Sequence, residues 1–430
     1  MEPGGLATAR LRDPVGLGLP IFPDSAILPA RNLASYRIRR QGEERGVRIG
    51  LVIGELNPRR GGAELWTFEF ARRLLERGHQ VEVVAADFAP AASDLPLVAH
   101  RVECGKGRLA FAAAAEAVLR RLDLDVIHDQ GMGWYCDVLT CHGGAWQAST
   151  EAKAAALPGW LRPLKRASMR WLPRYGTFRR LAERQFGSSG VIVVALSQMV
   201  ADGFRRYHGL PEERLRLVYN GVDVERFSPE RRAEFRAPIR ARFGLSESDV
   251  LFVFVGNDYH RKGLAQAVEA VARLRSEGKP ARLLVVGGKP YRRWWYRLFG
   301  RASAYVPDFT GLVDDTAPYY AAADAFVLPT LYDPCSLSVL EAAASGLPTI
   351  TTRANGAGEL LRDDWDGYVL DDPLDVGALA ERMNRLIDTS RRQRMGMAAR
   401  QTMLGHTLDR NCDELLAIYD EVVGRRRWAA

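Results

Sequence analysis

Asp333 and Glu341 are two carboxylates with seven residues between them, in the stretch Tyr332-Asp333-Pro334-Cys335-Ser336-Leu337-Ser338-Val339-Leu340-Glu341. Small and apolar residues follow through Gly346, so Glu341 reads as an acid inside a buried helix, where an unpaired carboxylate is expensive. Carboxylates accept paired hydrogen bonds from vicinal hydroxyls, which suits this pair to a ribose and a hexose. The plainer reading pairs Glu341 with a core cation. Ser336 is the expected N-cap of the helix that Leu337 begins, and Asp333 sits on the loop before it.

A second such stretch is Asn257-Asp258-Tyr259-His260-Arg261-Lys262-Gly263. Two adjacent cations just before a helix oppose its dipole, an arrangement that makes sense if a diphosphate occupies the site. The plainer reading sends both into solvent. Gly61-Gly62, at the start of another helix, offers backbone N–H groups to an anion or simply permits close packing. His142, in Thr140-Cys141-His142-Gly143, ends a strand; a lone histidine there is more often structural.

The elements that must position these residues are legible in the pattern. Val47–Ile53 is a β-rich run, a helix-period segment extends from Gly61-Gly62 to Arg77, Gly78 stands where a C′ glycine belongs, and Val81–Ala85 is the next strand. Val126–His128, Val138–Cys141 and Val191–Ala195 predict further buried strands. The second half repeats this order: strand Leu251–Val255, a loop, a helix from Gly263 to about Arg275, strand Arg282–Val286, then Ala325–Pro329, helix Leu337–Ala344 and strand Thr349–Thr352. Two α/β halves of this kind predict two doubly wound, Rossmann-like domains facing across a cleft. The expected boundaries are 1–46 for a poorly ordered extension such as an early start codon would add, 47–222 and 223–405 for the two domains, and 406–430 for a helix packing back on the first. The joint is expected near Asn220-Gly221-Val222-Asp223.

The chain has 430 residues, 47% hydrophobic and 26% charged, which excludes disordered and fibrous classes. No apolar run approaches a membrane span, and residues 1–46 lack the positive segment of a secretory signal. Five cysteines without CxxC spacing indicate neither a disulfide framework nor a zinc knuckle, so a reducing cytoplasm is expected. Of the net charge of +8, most lies between Glu151 and Gln185, where nine Lys/Arg, among them Lys165, Arg166 and Arg170, face two Glu. A second basic run, Lys289–Arg301, interleaves five cations with aromatic residues. Nucleic acid, anionic lipid and a phosphorylated acceptor all suit such patches, as do plain solvated faces.

Taken together, Asp333 through Glu341 with the following Ala-Ala-Ser-Gly-Leu-Pro, the loop Gly256–Gly263, and Val218-Tyr219-Asn220-Gly221-Val222-Asp223 resemble the retaining glycosyltransferases of family 4, whose fold is GT-B. The likeness spans roughly Val47 to Val423, and the Arg-Lys-Gly context with Phe204–His208 resembles the lipopolysaccharide core glucosyltransferases. The resemblance implies a UDP- or GDP-linked hexose donor, no cofactor and no metal. It implies that Gly61 and Gly62 lie against the donor sugar and diphosphate, together with Asn257, Gly263, Ser336 and Leu337 around the nucleotide. Arg261 and Lys262 would hold the diphosphate, Glu341 the ribose, Asp333 the transferred sugar, and His142 would lie near that sugar. The sequence departs from the family's commoner Glu at Asp333 and Phe-Gly at Cys335-Ser336. In this fold the first domain binds the acceptor, so Lys165, Arg166 and Arg170 are expected to face a glycan or lipid-linked acceptor, or an anionic membrane surface on the cytoplasmic side.

Other classes fit less well. A nicotinamide dehydrogenase needs GxGxxG after the first strand, and Asn57-Pro58-Arg59-Arg60-Gly61-Gly62 fails that pattern. A nucleic-acid-binding protein would leave Asp333 and Glu341 idle and no binding motif is present, so no nucleic-acid partner is expected. A catalytically silent relative that only binds its nucleotide stays open.

Overall fold

The computed structural model describes residues 46–188, 190–288 and 305–429, without the side chains of Arg170 and 426–429. The N-terminal extension and the basic run Lys289–Arg301 therefore lie outside the described residues, apart from Gly46.

The first sheet contains β1 (Arg48–Val52), β2 (Gln80–Ala85), β3 (Val98–Arg101), β4 (Val126–Asp129), β5 (Val138–Thr140), β6 (Ile192–Ala195) and β7 (Leu215–Leu217). All pairs are parallel, in the order β3-β2-β1-β4-β5-β6-β7. The second sheet contains β8 (Val250–Val255), β9 (Ala281–Val286), β10 (Asp308–Gly311), β11 (Ala325–Val327), β12 (Thr349–Thr352) and β13 (Gly367–Leu370), in the order β10-β9-β8-β11-β12-β13, again all parallel. Every residue of β8, Val-Leu-Phe-Val-Phe-Val, is buried. Such an unbroken apolar run is what a central parallel strand needs, because helices cover both faces.

Helices α1 (Gly62–Glu76), α2 (Arg108–Leu119), α3 (Trp146–Ala155), α4 (Arg162–Trp171), α5 (Pro173–Gly187) and α6 (Gln198–His208) accompany the first sheet. α7 (Arg232–Arg242), α8 (Leu264–Ser276), α9 (Ala317–Ala322), α10 (Leu337–Ala344), α11 (Val376–Arg385) and α12 (Thr389–Met403) accompany the second. In each sheet the chain reverses direction beside its first strand, between β1 and β4 and between β8 and β11. Crevices form at the carboxyl ends of strands flanking such a reversal.

The last helix, α13 (Leu408–Ala429), returns to the first sheet. Cys412, Leu415, Leu416, Ile418, Tyr419 and Val422 join the core built by Val47, Ile49, Leu51 and Phe70. Buried polar pairs cross this core: the Tyr419 hydroxyl meets His128 Nδ1 at 2.6 Å, and Trp66 Nε1 donates to Asn411 Oδ1 at 3.2 Å. At the joint, Val222 N donates to the His406 carbonyl and Leu408 N to the Val222 carbonyl, so the two crossings of the chain are hydrogen-bonded to each other.

Candidate functional site

Between the carboxyl ends of the two sheets lies a cavity of about 800 Å³. Its first-domain wall comes from the loop after β1, through Gly61 and Gly62, and from His142 and Gly143 after β5. Its second-domain wall comes from the loops after β8 and β11 and from the start of α10. Gly61 is extended and precedes α1, and Gly62 opens it. A Cβ on Gly62 would stand 3.5 Å from Leu337, so a larger side chain would fill the narrow gap where the two domains approach. Leu337 itself packs against the cores of both.

The loop after β8 is tied down by its own acid. Asp258 accepts from the Arg261 backbone N–H at 3.2 Å and from Arg261 Nε at 3.1 Å. Arg261 Nη1 donates to the Tyr332 carbonyl at 2.8 Å, and Leu331 N donates back to the Arg261 carbonyl at 2.8 Å. The loops after β8 and β11 are thereby stitched together. Asp333, 7% exposed, is brought onto both cations: its Oδ2 is 3.3 Å from Arg261 Nη1 and 3.4 Å from Lys262 Nζ. The Lys262 stem lies across Gly256, where a Cβ would be 2.5 Å from Lys262 Cδ. The adjacent cations thus do not extend into solvent. Asp258 and Asp333 supply the compensating charge, and an anion entering the cavity would compete with Asp333 for the two cations.

Glu341 is buried, and burial pushes its carboxyl above the usual range, against the hydrogen bond from the Tyr320 hydroxyl at 2.8 Å and the positive charges of Arg226 and Lys262. Its hydrogen-bonding partner is a phenol instead of a core cation. Ser336 occupies the N-cap position of α10, but its hydroxyl does not cap the helix; it meets the Ser338 hydroxyl at 2.9 Å while its N–H donates to Asn355 Oδ1. The α10 N–H groups therefore keep no side-chain cap from Ser336, which leaves that helix end available to an anion.

Asn257 borders the cavity, but its Oδ1 accepts from Gly288 N at 2.8 Å and so fixes the end of β9. Gly263 does not line the cavity. It precedes α8 with φ 79°, and a Cβ there would run into the Pro329 carbonyl, so the position demands glycine for backbone reasons. His142 does line the cavity. Its Nε2 meets Gln130 Oε1 at 2.9 Å, its ring tilts against Trp66, and burial lowers the imidazole to about 4, leaving it neutral at pH 7.

Lys165 and Arg166 do not line the cavity; they lie on α4, where Lys165 Nζ reaches the Tyr175 hydroxyl at 3.4 Å. The side chain of Arg170 is outside the described residues. Sequence reasoning missed Arg59, Glu69, Lys153, Arg226 and Asp314, all of which border the cavity. Arg59 pairs with Asp314 at 3.3 Å across its mouth, and Arg226 with Asp315 at 2.8 Å. Arg226 follows the joint motif by three positions, which was the available signal; Lys153 was submerged in a long basic run.

Comparison with known proteins bears on this geometry. Glycosyltransferase Family 4 matches residues 60–226, and Glycosyl transferases group 1 matches residues 249–389. The chain is 30% identical over 419 residues to the D-inositol 3-phosphate glycosyltransferase of Salinispora tropica, covering 85% of this chain and 82% of that relative. It is 30% identical over 375 residues to the GDP-mannose-dependent alpha-(1-6)-phosphatidylinositol monomannoside mannosyltransferase of Mycobacterium tuberculosis, covering 82% and 93%. Among solved structures, WaaG, a glycosyltransferase involved in lipopolysaccharide biosynthesis, superposes with a TM-score of 0.71 at 22% identity, over 86% of this chain and 99% of that one.

Proposed function

The chain belongs to glycosyltransferase family 4 and has the GT-B fold, and from that premise we propose that it is a retaining, metal-independent enzyme that moves a hexose from a UDP- or GDP-linked donor to a glycan or lipid-linked acceptor in cell-surface polysaccharide or lipopolysaccharide synthesis. The observation that carries this reading is the convergence of Arg261, Lys262 and Asp333 on one wall of the interdomain cavity, with Glu341 buried beside them. Breaking the anomeric C–O bond leaves positive charge on the sugar and negative charge on the diphosphate. Arg261, Lys262 and the uncapped start of α10 offer preorganised positive charge to that leaving group, usually the largest catalytic contribution. Asp333, displaced from the cations by the diphosphate, would then accept hydroxyls of the sugar. The acceptor oxygen attacks from the face the phosphate leaves, and the phosphate takes its proton, so configuration is retained without a protein nucleophile. Neutral His142 lies within the same cavity and would hydrogen-bond to the sugar. A panel of UDP- and GDP-sugars, incubated with and without chelator and read by mass spectrometry and NMR, tests this. Transfer or hydrolysis with retention, undiminished by chelator, is expected; inverted product or chelator-abolished turnover would overturn the corresponding part of the reading.

The acceptor side supports a cytoplasmic-face peripheral enzyme. Among the described residues no helix is long and apolar enough to cross a membrane. Yet Trp160, Leu164 and Trp171 are 74%, 64% and 83% exposed on and just before α4, beside Lys165 and Arg166. Leu164 and Trp171, seven residues apart, share one face of α4, and Trp160 stands in the single turn Gly159–Leu161 just before it. Apolar side chains flanked by cations are what a segment lying at an anionic lipid surface requires, each cation contributing about 1 kcal/mol there. Co-sedimentation with vesicles is expected to rise with anionic lipid, fall with salt, and drop when Lys165, Arg166 and Arg170 become Gln. Equal recovery on neutral and anionic vesicles would remove the membrane and leave a soluble acceptor.

A further inference from the structure

One carboxylate crosses from the second domain to the first without touching the cavity. Glu359 lies in the single turn Gly356–Leu360 that follows β12, and its two oxygens accept from the first two N–H groups of α6: Gln198 N at 2.7 Å and Met199 N at 2.8 Å. The Tyr219 hydroxyl, at the interdomain joint, adds a third hydrogen bond to Glu359 at 2.8 Å. Ser197 caps the next N–H of α6 with its own side chain, at 3.2 Å. A helix start that belongs to one domain is thus completed by an acid from the other, the charge sign its dipole favours.

The turn that carries Glu359 is also fastened to the catalytic loop. Asp333 N donates to the Ala354 carbonyl at 2.8 Å, and Gly356 N donates to the Asp333 carbonyl at 2.9 Å. Asn355 Oδ1 accepts from Ser336 N. Gly356 is wedged: a Cβ there would strike both the Pro334 carbonyl and the Ser197 side chain. Through residues 354–359, therefore, the start of α6 and the loop Asp333–Ser336 share one rigid connector.

We propose that Glu359 is a positioning residue that sets the register between the first domain and the loop holding Asp333, so that the acceptor side of the cleft is aligned with the donor side. The claim rests on the transfer reading above, because it concerns the alignment of two substrates. Glu359 itself does not touch the substrates. In that reading Arg261, Lys262 and Glu341 carry most of the donor contacts and lie outside the connector, so the clamp acts on alignment more than on donor affinity.

Glu359→Gln and Glu359→Ala test it. Gln offers one acceptor oxygen to two N–H groups and sets its own amide hydrogens against the other. Misregister at a reacting centre lowers rates by up to about a hundredfold, so both variants are expected to lower kcat about ten- to a hundredfold while KM for the nucleotide sugar stays within about twofold. Hydrogen exchange is expected to quicken in two separate segments, 198–200 and 331–337. Quickening at 198–200 alone, with kcat unchanged, would reduce Glu359 to a local cap and overturn the proposal. Tyr219→Phe removes one hydrogen bond without touching the carboxylate; it should shift kcat and both exchange segments the same way by less, and it keeps the test open if the Glu359 variants fail to fold. If the wild-type chain turns over no nucleotide sugar, the transfer reading fails, while coupled exchange in the two segments still decides whether the clamp exists.

Discussion

Lys262→Ala is expected to lower kcat about 10²- to 10³-fold while leaving the fold intact. The side chain runs along Gly256 at the cavity wall and ends 3.4 Å from Asp333, so it is poised where an anionic leaving group would develop its charge. One preorganised donor in such a position contributes roughly 3–4 kcal/mol to the transition state. Truncation leaves the carboxylate of Asp333 paired with Arg261, and no core contact of β8 or α8 is lost. The melting temperature should therefore move little. Because the charge matters most as the bond breaks, kcat and kcat/KM should fall together. Near-normal turnover in a folded variant would show that this loop does not hold the leaving group.

The second large effect belongs to Glu341. Glu341→Gln keeps the shape of the side chain but loses charge-assisted hydrogen bonds to a diol, worth about 1.5–3 kcal/mol. Donor affinity should fall about tenfold to a hundredfold, measured by calorimetry with UDP and GDP. The same substitution removes a carboxyl whose ionisation burial opposes, so thermal stability should not fall with affinity. A pH dependence follows. The ionised form accepts the diol, and burial raises the pH at which the carboxyl takes up a proton. As pH falls, wild-type donor affinity should start to weaken above the ordinary range for Glu, and Glu341→Gln should lack that acid limb. Unchanged affinity in the variant would leave Glu341 a structural partner of Tyr320.

The chain makes its central elements legible and hides its edges. β1, β2, β4, β5, β6, β8, β9 and β11 are short, mostly apolar runs, β12 is a β-branched run of threonines around Ile350, and the sequence reading finds them all. It does not find β3, whose Val98-Ala99-His100-Arg101 is mostly exposed, nor the edge strands β7 and β10, because an edge strand buries too little to need an apolar pattern. β13, also at an edge, is short and follows a turn rich in charge. Likewise α3, α4 and α5 are submerged in a basic, proline-broken stretch where composition speaks of surface and not of periodicity.

The site divides along the same line. Residue types and spacing were enough to single out Asp333, Glu341, Arg261, Lys262 and the glycine pair, because a buried acid, adjacent cations before a helix and a strand–glycine–helix turn each violate a local rule unless something compensates. What compensates is not local. Arg261 and Asp333 meet across 72 positions of chain, and Tyr320 reaches Glu341 from a separate helix. Arg59 finds Asp314 only because the two sheets face each other, and Glu359 caps a helix 160 positions away in the other domain. Gly263 shows the converse: the family resemblance set it around the nucleotide, while its left-handed φ and the Pro329 carbonyl account for the glycine by backbone packing. A strand's alternation or a helix's period is written in neighbours, so one chain suffices to read it. Which loops converge depends on the order in which parallel strands are laid side by side, and that order is set by the packing of whole helices on whole sheets.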